Sequence, residues 1–298
     1  MTPYVLTLIG NPESAPLESV HVEQVFQGLE LSGETDWLAK NEACDIFIDS
    51  ELSVEAINQK VRKILAGYSI DIACTPNNGR RKKLLISDMD STVINQECID
   101  ELADEIGIGA QIRKITSSVI QGEISFPDAL RQRLQLMNGM EEKELERVYQ
   151  QRITLKAGAR TLVQTMRHHG AYCMLVSGGF TYFTSRIAAR LGFHDHQANV
   201  LIFKHGKLTG KAREPILGRS AKLNILTNLC QQKGLTYSDV LAVGDGANDI
   251  KMIQAAGLGV AFHDSGNLRQ HSSACIEYGD LTALLYIQGI RKSEFVLA

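Results

Sequence analysis

Two aspartates separated by a single residue end an apolar run in the segment Lys82 to Val93, KKLLISDMDSTV. Leu84, Leu85 and Ile86 predict a buried strand, and Asp88 and Asp90 fall where that strand gives way to a loop. In open α/β sheets, ligands collect beyond the carboxyl ends of the strands. Paired acids at such an edge make a hard oxygen site suited to magnesium. One of them is then free to attack phosphorus, and the acyl phosphate so formed splits one difficult displacement into two easier ones. Taken alone, D-x-D before a threonine is equally compatible with a solvated turn.

Two further strand ends decide between these alternatives. Ala171 to Ser177 (AYCMLVS) is an apolar run that ends in Ser177-Gly178-Gly179. Val240 to Asp245 (VLAVGD) is another, ending in Gly244-Asp245-Gly246-Ala247-Asn248-Asp249. Between them Lys222 lies just inside an apolar-periodic stretch that Ser220 is placed to cap. Three of the four features follow strands of one type, so they are expected to gather on one sheet edge. In order, spacing and residue type they resemble the haloacid dehalogenase superfamily of phosphatases. The chain is similar in particular to the phosphoserine phosphatases of that superfamily. The similarity rests on D-M-D-S-T-V-I-N-Q-E with its glutamate at Glu97, the lid-like QGEISFPDALRQR at Gln121 to Arg133, VSGGF at Val176 to Phe180, and GDGAND at Gly244 to Asp249. It runs from about Lys82 to the C-terminus and leaves out the first part of the chain.

The resemblance implies a role for each motif residue. Asp88 is the nucleophile. Asp90 is the general acid for the leaving hydroxyl and then the base for water, which requires a pKa raised by a neighbouring carboxylate and by burial under the cap. Magnesium is expected on Asp88, Asp245 and the backbone carbonyl of Asp90, with Asp249 holding a metal-bound water. Gly244 and Gly246 are expected to allow the tight turn that brings these acids inward. Ser177 and the N–H of Gly178 bind phosphate oxygens, Lys222 neutralises the transferring charge, and Asn248 contacts substrate or phosphate. Glu97 takes the substrate ammonium, and Arg133 grips its carboxylate through paired hydrogen bonds. Arg131, two positions away, should point elsewhere on the helix. Phe126 closes the pocket, and Ile120 stands where the family's lid carries methionine. The implied activity is magnesium-dependent hydrolysis of O-phospho-L-serine, the last step of serine biosynthesis. Two other functions compete. One is a phosphotransferase that passes the aspartyl phosphate to another alcohol. The other is a serine-binding or dimerising protein with a vestigial catalytic half, which the presence of Asp88, Asp90, Lys222 and Asp245 argues against.

The elements that must hold these residues predict an α/β fold: a doubly wound, Rossmann-like parallel sheet with a helical cap, preceded by a small α+β domain. The turn cluster and basic run TPNNGRRKK at Thr75 to Lys83 marks the boundary, giving an N-terminal domain over 1–78 and a phosphatase domain over 79–298. The cap is expected over about 96–155. There Ile99, Leu102, Ala103 and Ile106 share one helix face and Phe126, Leu130, Leu134 and Met137 another, with Ser125 and Asp128 as a capping box. Glu141 to Tyr149 makes a further helix. Upstream, strands are expected at Tyr4 to Ile9, Ala43 to Ile48 and Ser69 to Cys74, with helices over Leu17 to Leu31 and Val54 to Leu65. A fourth strand, needed around Thr35 to Lys40, has no clear pattern. This β-α-β-β-α-β order is similar to an ACT-type ferredoxin-like module, which would either take an effector or serve packing and dimerisation. A homodimer through it follows by analogy.

The 298 residues carry a formal charge of −3 with acids and bases interspersed. No basic stripe suggests nucleic acid, no apolar run is long enough to span a bilayer, and the N-terminus lacks a signal-peptide pattern. The expectation is a cytoplasmic enzyme acting on a small molecule. The six cysteines are scattered through apolar runs and read as buried free thiols. His168-His169 suit a helix end, and His194 and His196 read as part of a polar turn.

Overall fold

The computed structural model describes residues 2–30, 33–121, 123–264 and 266–297. The expected helix end at Leu31, Gly122 of the lid segment and the side chain of Ile120 lie outside the described residues.

The chain opens with β1 (Thr2–Ile9), α1 (Ser19–Leu29), β2 (Thr35–Ala39), β3 (Ala43–Ser50), α2 (Val54–Ile64) and β4 (Asp71–Pro76). β2 supplies the strand that the sequence left unplaced. Next come β5 (Leu84–Ser87) and four helices, α3 (Cys98–Glu105), α4 (Gly109–Ile120), α5 (Phe126–Leu136) and α6 (Lys143–Gln151). The chain continues through α7 (Ala159–His168), β6 (Tyr172–Phe180), α8 (Thr181–Leu191), β7 (Asp195–Asn199), a hairpin of β8 (Leu201–Lys204) and β9 (Lys207–Ala212), and α9 (Arg219–Lys233). It ends with β10 (Val240–Gly244), α10 (Ile250–Ala255), β11 (Leu258–Phe262), β12 (Ala274–Ile276) and α11 (Ala283–Ile287).

Ten strands form one sheet in the order β2-β3-β1-β4-β12-β11-β10-β5-β6-β7. From β12 to β7 all neighbours are parallel, as a doubly wound sheet requires. Parallel strands are covered on both faces and therefore apolar throughout. Alternate side chains enter different clusters: Leu85, Cys173, Leu175, Leu241 and Val243 on one face, Leu84, Ile86, Met174, Val176, Val240 and Ala242 on the other. Each Leu, Ile, Val or Met among them, fully buried, contributes about 1.5–3 kcal/mol. β5 runs to β6 and β7 on one side, whereas β10 to β12 lie on the other. The order of connection therefore reverses between β5 and β10, where a doubly wound sheet opens its binding crevice.

The antiparallel strands β2-β3-β1-β4 carry α1 and α2 over a core of their own. They continue the main sheet through one pairing, Ile72 of β4 with Cys275 of β12, so the two halves share a sheet, which the turn cluster in the sequence did not disclose. The junction is reinforced by Arg80, whose guanidinium donates to Asp45 at 2.7 Å and to the carbonyl of Ile287.

The helical segment α3–α6 is entered and left by adjacent strands of chain: Asn95 N–H bonds the Thr154 carbonyl and Lys156 N–H the Val93 carbonyl, both at 3.0 Å. The β8–β9 hairpin braces it, with Gly139 N–H on the Leu208 carbonyl at 2.8 Å. At the start of α5, Ser125 accepts from the Asp128 N–H at 3.3 Å. The Asp128 carboxylate takes the Ser125 hydroxyl rather than its N–H, so only half of the expected capping box forms. His194 and His196 are not in a polar turn. His196 lies in β7, and His194 stacks on Tyr172 and accepts the Cys173 N–H, because the edge of the sheet extends to them. All six cysteines are buried and free. No helix among the described residues is long and apolar enough to cross a membrane.

Candidate active site

β10, β5 and β6 are neighbours, so the expected gathering of three strand ends on one sheet edge occurs. Asp88 leaves β5 with its N–H on the Val243 carbonyl at 3.0 Å. Its Oδ1 accepts the Met89 N–H at 2.7 Å and faces the Lys222 ammonium at 2.8 Å, and its Oδ2 accepts from the Asn248 amide at 3.2 Å. Lys222 rises from α9 and is almost fully buried (1%), paired also with Asp249 Oδ1 at 2.6 Å. Burial alone lowers its pKa, but the Asp249 and Asp88 carboxylates overcome this and lift it above the ordinary lysine value.

Asp90 sits differently. Oδ1 accepts the Cys98 N–H and Oδ2 the Ser177 hydroxyl, each at 2.9 Å. Burial, then the Asp88 carboxylate, push its pKa up. Two carboxyl groups two residues apart therefore occupy unlike environments, one against a cation and one whose pKa is raised by burial and a neighbouring carboxylate. Ser177 in turn accepts the Gly179 N–H at 2.8 Å. β6 does not stop at Ser177 as the apolar run suggested but continues to Phe180, with its Gly178 carbonyl accepting from the Asn199 amide at 2.8 Å.

Carboxylate oxygens of Asp88, Asp245 and Asp249 lie within 4.8 Å of one another. This is a hard oxygen donor set. Burial, then the Asp88 charge, raise Asp245 to about 7, and a divalent cation would relieve that crowding of like charges. The residues thus fit a divalent metal. The Asp90 carboxylate is outside this group, which leaves its backbone carbonyl as the expected contact. Gly244 is required for close approach rather than for a turn: a Cβ there would stand 2.3 Å from Asp249 Cγ. Thr92, to which sequence reasoning gave no role, donates its hydroxyl to Asp245 Oδ1 at 3.0 Å. Its place two residues after Asp90 was the only available signal.

The cap completes the enclosure. Phe126 packs over Gly178 so closely that a Cβ on that glycine would lie 3.0 Å from Phe126 Cζ. Arg133 is buried and lies 5.8 Å from the Phe126 ring centroid, with Nε donating to the Ala129 carbonyl at 3.3 Å. Arg131 points away, paired with Asp128 and Glu214 at 2.9 Å on the surface. Glu97 opens α3 and accepts the Ser91 hydroxyl at 2.7 Å. Surrounding protein, then the Asp90 carboxylate, raise its pKa. One expectation about α9 fails: its N-cap is Gly218, and Ser220 lies inside the first turn. Gly218 is extended there and supplies no side-chain cap, and the Phe126 ring lies at ordinary contact distance from where a Cβ would stand.

The doubly wound sheet thus gathers the acids and the buried lysine in the crevice at its switch point. The sequence model of the haloacid dehalogenase-like hydrolases matches residues 85–254, and the chain belongs to that family. Phosphoserine phosphatase of a Polaromonas species is 41% identical over 228 residues, covering 75% of this chain and 97% of that protein. Phosphoserine phosphatase of Streptomyces coelicolor is 30% identical over 293 residues, 97% of this chain and 71% of that protein, so this similarity takes in the N-terminal strands. Among solved structures, a probable phosphoserine phosphatase from Vibrio cholerae in unliganded form matches with TM-score 0.76 at 26% identity, covering 98% of this chain and 88% of that one.

Proposed function

We propose that this protein is a magnesium-dependent phosphatase that hydrolyses O-phospho-L-serine to L-serine and phosphate, the closing step of serine synthesis. The observation that carries this reading is the unlike setting of the two aspartates, Asp88 against the Lys222 ammonium and Asp90 with a raised pKa beside Ser177. An oxygen of Asp88 attacks phosphorus, and the bond from phosphorus to the serine oxygen breaks. The carboxyl of Asp90 gives its proton to that oxygen. Asp90, now ionised, takes a proton from water as the water oxygen attacks the aspartyl phosphate, which frees phosphate and regenerates Asp88. Lys222, the Ser177 hydroxyl and the Gly178 N–H supply fixed donors for the phosphoryl oxygens. Asp88, Asp245 and the Asp90 carbonyl would hold magnesium, with Asp249 behind them, and the bound cation offsets charge on the phosphoryl oxygens. Glu97 receives the substrate ammonium, Arg133 its carboxylate, and Asn248 the phosphate side of the site. Phe126 closes the cleft and keeps bulk water out of the first step.

Phosphate release from O-phospho-L-serine, phosphothreonine, phosphoglycolate and a nucleoside monophosphate, with magnesium or EDTA, tests the proposal. Selective release from O-phospho-L-serine that is lost in EDTA and in Asp88→Asn is expected. Selective release from another ester would refute the roles of Glu97 and Arg133, and none from any ester would refute hydrolysis.

Residues 1–78 we assign as an ACT-like module and the cytoplasm as the site of action. The order β2-β3-β1-β4 with two helices on one face supports the first assignment. The module's terminal strand β2 offers an edge for a homodimer, which light scattering on the eluting protein tests.

A further inference from the structure

Ser91, between the general acid and Thr92, holds φ at 53°. This left-handed region disfavours any residue with a Cβ, and persistence there points to a surrounding constraint. Glycine adopts it freely, whereas serine brings a hydroxyl to this position. Its N–H bonds the Gln96 carbonyl at 3.2 Å, and its hydroxyl donates to Glu97 Oε1 at 2.7 Å. The left-handed turn at Ser91 thus folds the loop back so that its hydroxyl meets the side chain six residues on.

Glu97 behaves correspondingly. It is the N-cap residue of α3, yet its side chain makes no capping hydrogen bond. The Cys98 N–H at that helix end is taken by Asp90 Oδ1 at 2.9 Å, and the Glu97 carboxylate is turned toward Ser91. An open glutamate otherwise samples many rotamers, and fixing one removes that entropy cost from ligand binding.

We propose that Ser91 is a positioning residue that sets substrate specificity by aiming the Glu97 carboxylate at the ammonium of the substrate. The proposal rests on the phosphoserine reading given above. One short loop then carries the proton-transfer group, Asp90, and the device that orients the amine-recognising group. The strained backbone at Ser91 is retained because relief by glycine would release Glu97.

The test compares O-phospho-L-serine with 3-phosphooxypropanoate, the same ester without its amino group, for the full-length parent, Ser91→Gly, Ser91→Ala, Glu97→Gln and Ser91→Gly/Glu97→Gln. The ratio of kcat/KM values for the two esters is expected to fall about tenfold in both Ser91 variants, as for loss of one hydrogen bond to a charged group. Ser91→Gly should nonetheless melt above Ser91→Ala, since only glycine relieves the left-handed backbone. Adding Ser91→Gly to Glu97→Gln should lower the ratio no further. An unchanged ratio in Ser91→Gly and Ser91→Ala overturns the proposal. So does an equal loss on both esters with a fall in Tm, which is what a purely structural loop residue gives. A parent that does not prefer the amino ester refutes the phosphoserine reading itself, and the role of Ser91 with it.

Discussion

Replacing Lys222 with methionine keeps most of its aliphatic stem and removes a cation buried between two carboxylates. The ammonium stands 2.8 Å from Asp88 and 2.6 Å from Asp249, and the side chains of all three residues are at most 5% exposed. At an effective dielectric near 20, two unit charges about 4 Å apart interact by about 4 kcal/mol, so the two pairs amount to roughly 8 kcal/mol before desolvation. Desolvating the ammonium takes several kcal/mol of this back, and removal of one member of such a buried group costs about 3–5 kcal/mol in net stability. Urea unfolding in EDTA, so that no divalent cation substitutes for the lost charge, reads this directly: the midpoint should fall with the slope unchanged. Asp249→Asn in the Lys222→Met background removes one stranded carboxylate and should recover part of the loss. A Lys222→Met shift below about 1 kcal/mol, the range of exposed ion pairs, would refute the claim that this triad is desolvated and coupled.

Two further predictions concern the metal group and the cap. Asp245, raised to about 7 by burial and by Asp88, binds its proton more tightly folded than unfolded, so stability in EDTA should fall as pH rises from about 4 toward about 7. Magnesium should oppose that fall because it binds the ionised carboxylate, and Asp245→Asn should flatten the EDTA profile; a parent profile that rises through this window would contradict the sign. In the cap, Arg133→Ala should raise KM for O-phospho-L-serine by about 10- to 100-fold, as for loss of a paired hydrogen bond to carboxylate. Arg131→Ala, which loses only surface ion pairs, should change KM little, and equal effects of the two variants would sink the assignment.

The core strands were legible because they are buried on both faces, and such strands write themselves as unbroken apolar runs. The same runs overshoot or stop short where polarity changes inside a strand, as at Ser177, where β6 carries on to Phe180. Strand β2 was not legible, since a five-residue edge strand with a mixed pattern of burial carries little periodicity. The expected Ser220 cap failed because α9 begins at Arg219, one residue before Ser220, with Gly218 as its N-cap, and helix starts are set by where the chain enters rather than by the nearest hydroxyl.

By itself, the sequence determined the chemistry on offer: the acid pair Asp88 and Asp90, the hydroxyl and glycines at Ser177, Lys222, and the acids at Asp245 and Asp249. Residue types and their distance from strand ends are local properties, and a chain states them directly. Only the tertiary structure decided that Lys222 is buried between Asp88 and Asp249, that Thr92 serves Asp245, that Gly244 makes room for the Asp249 carboxyl, and that Ser91 turns back onto Glu97. Each of these depends on the approach of segments or on a backbone angle set by its surroundings. The joining of the two halves through β4 and β12 is of the same kind, since one pairing between strands some two hundred residues apart leaves no pattern in either.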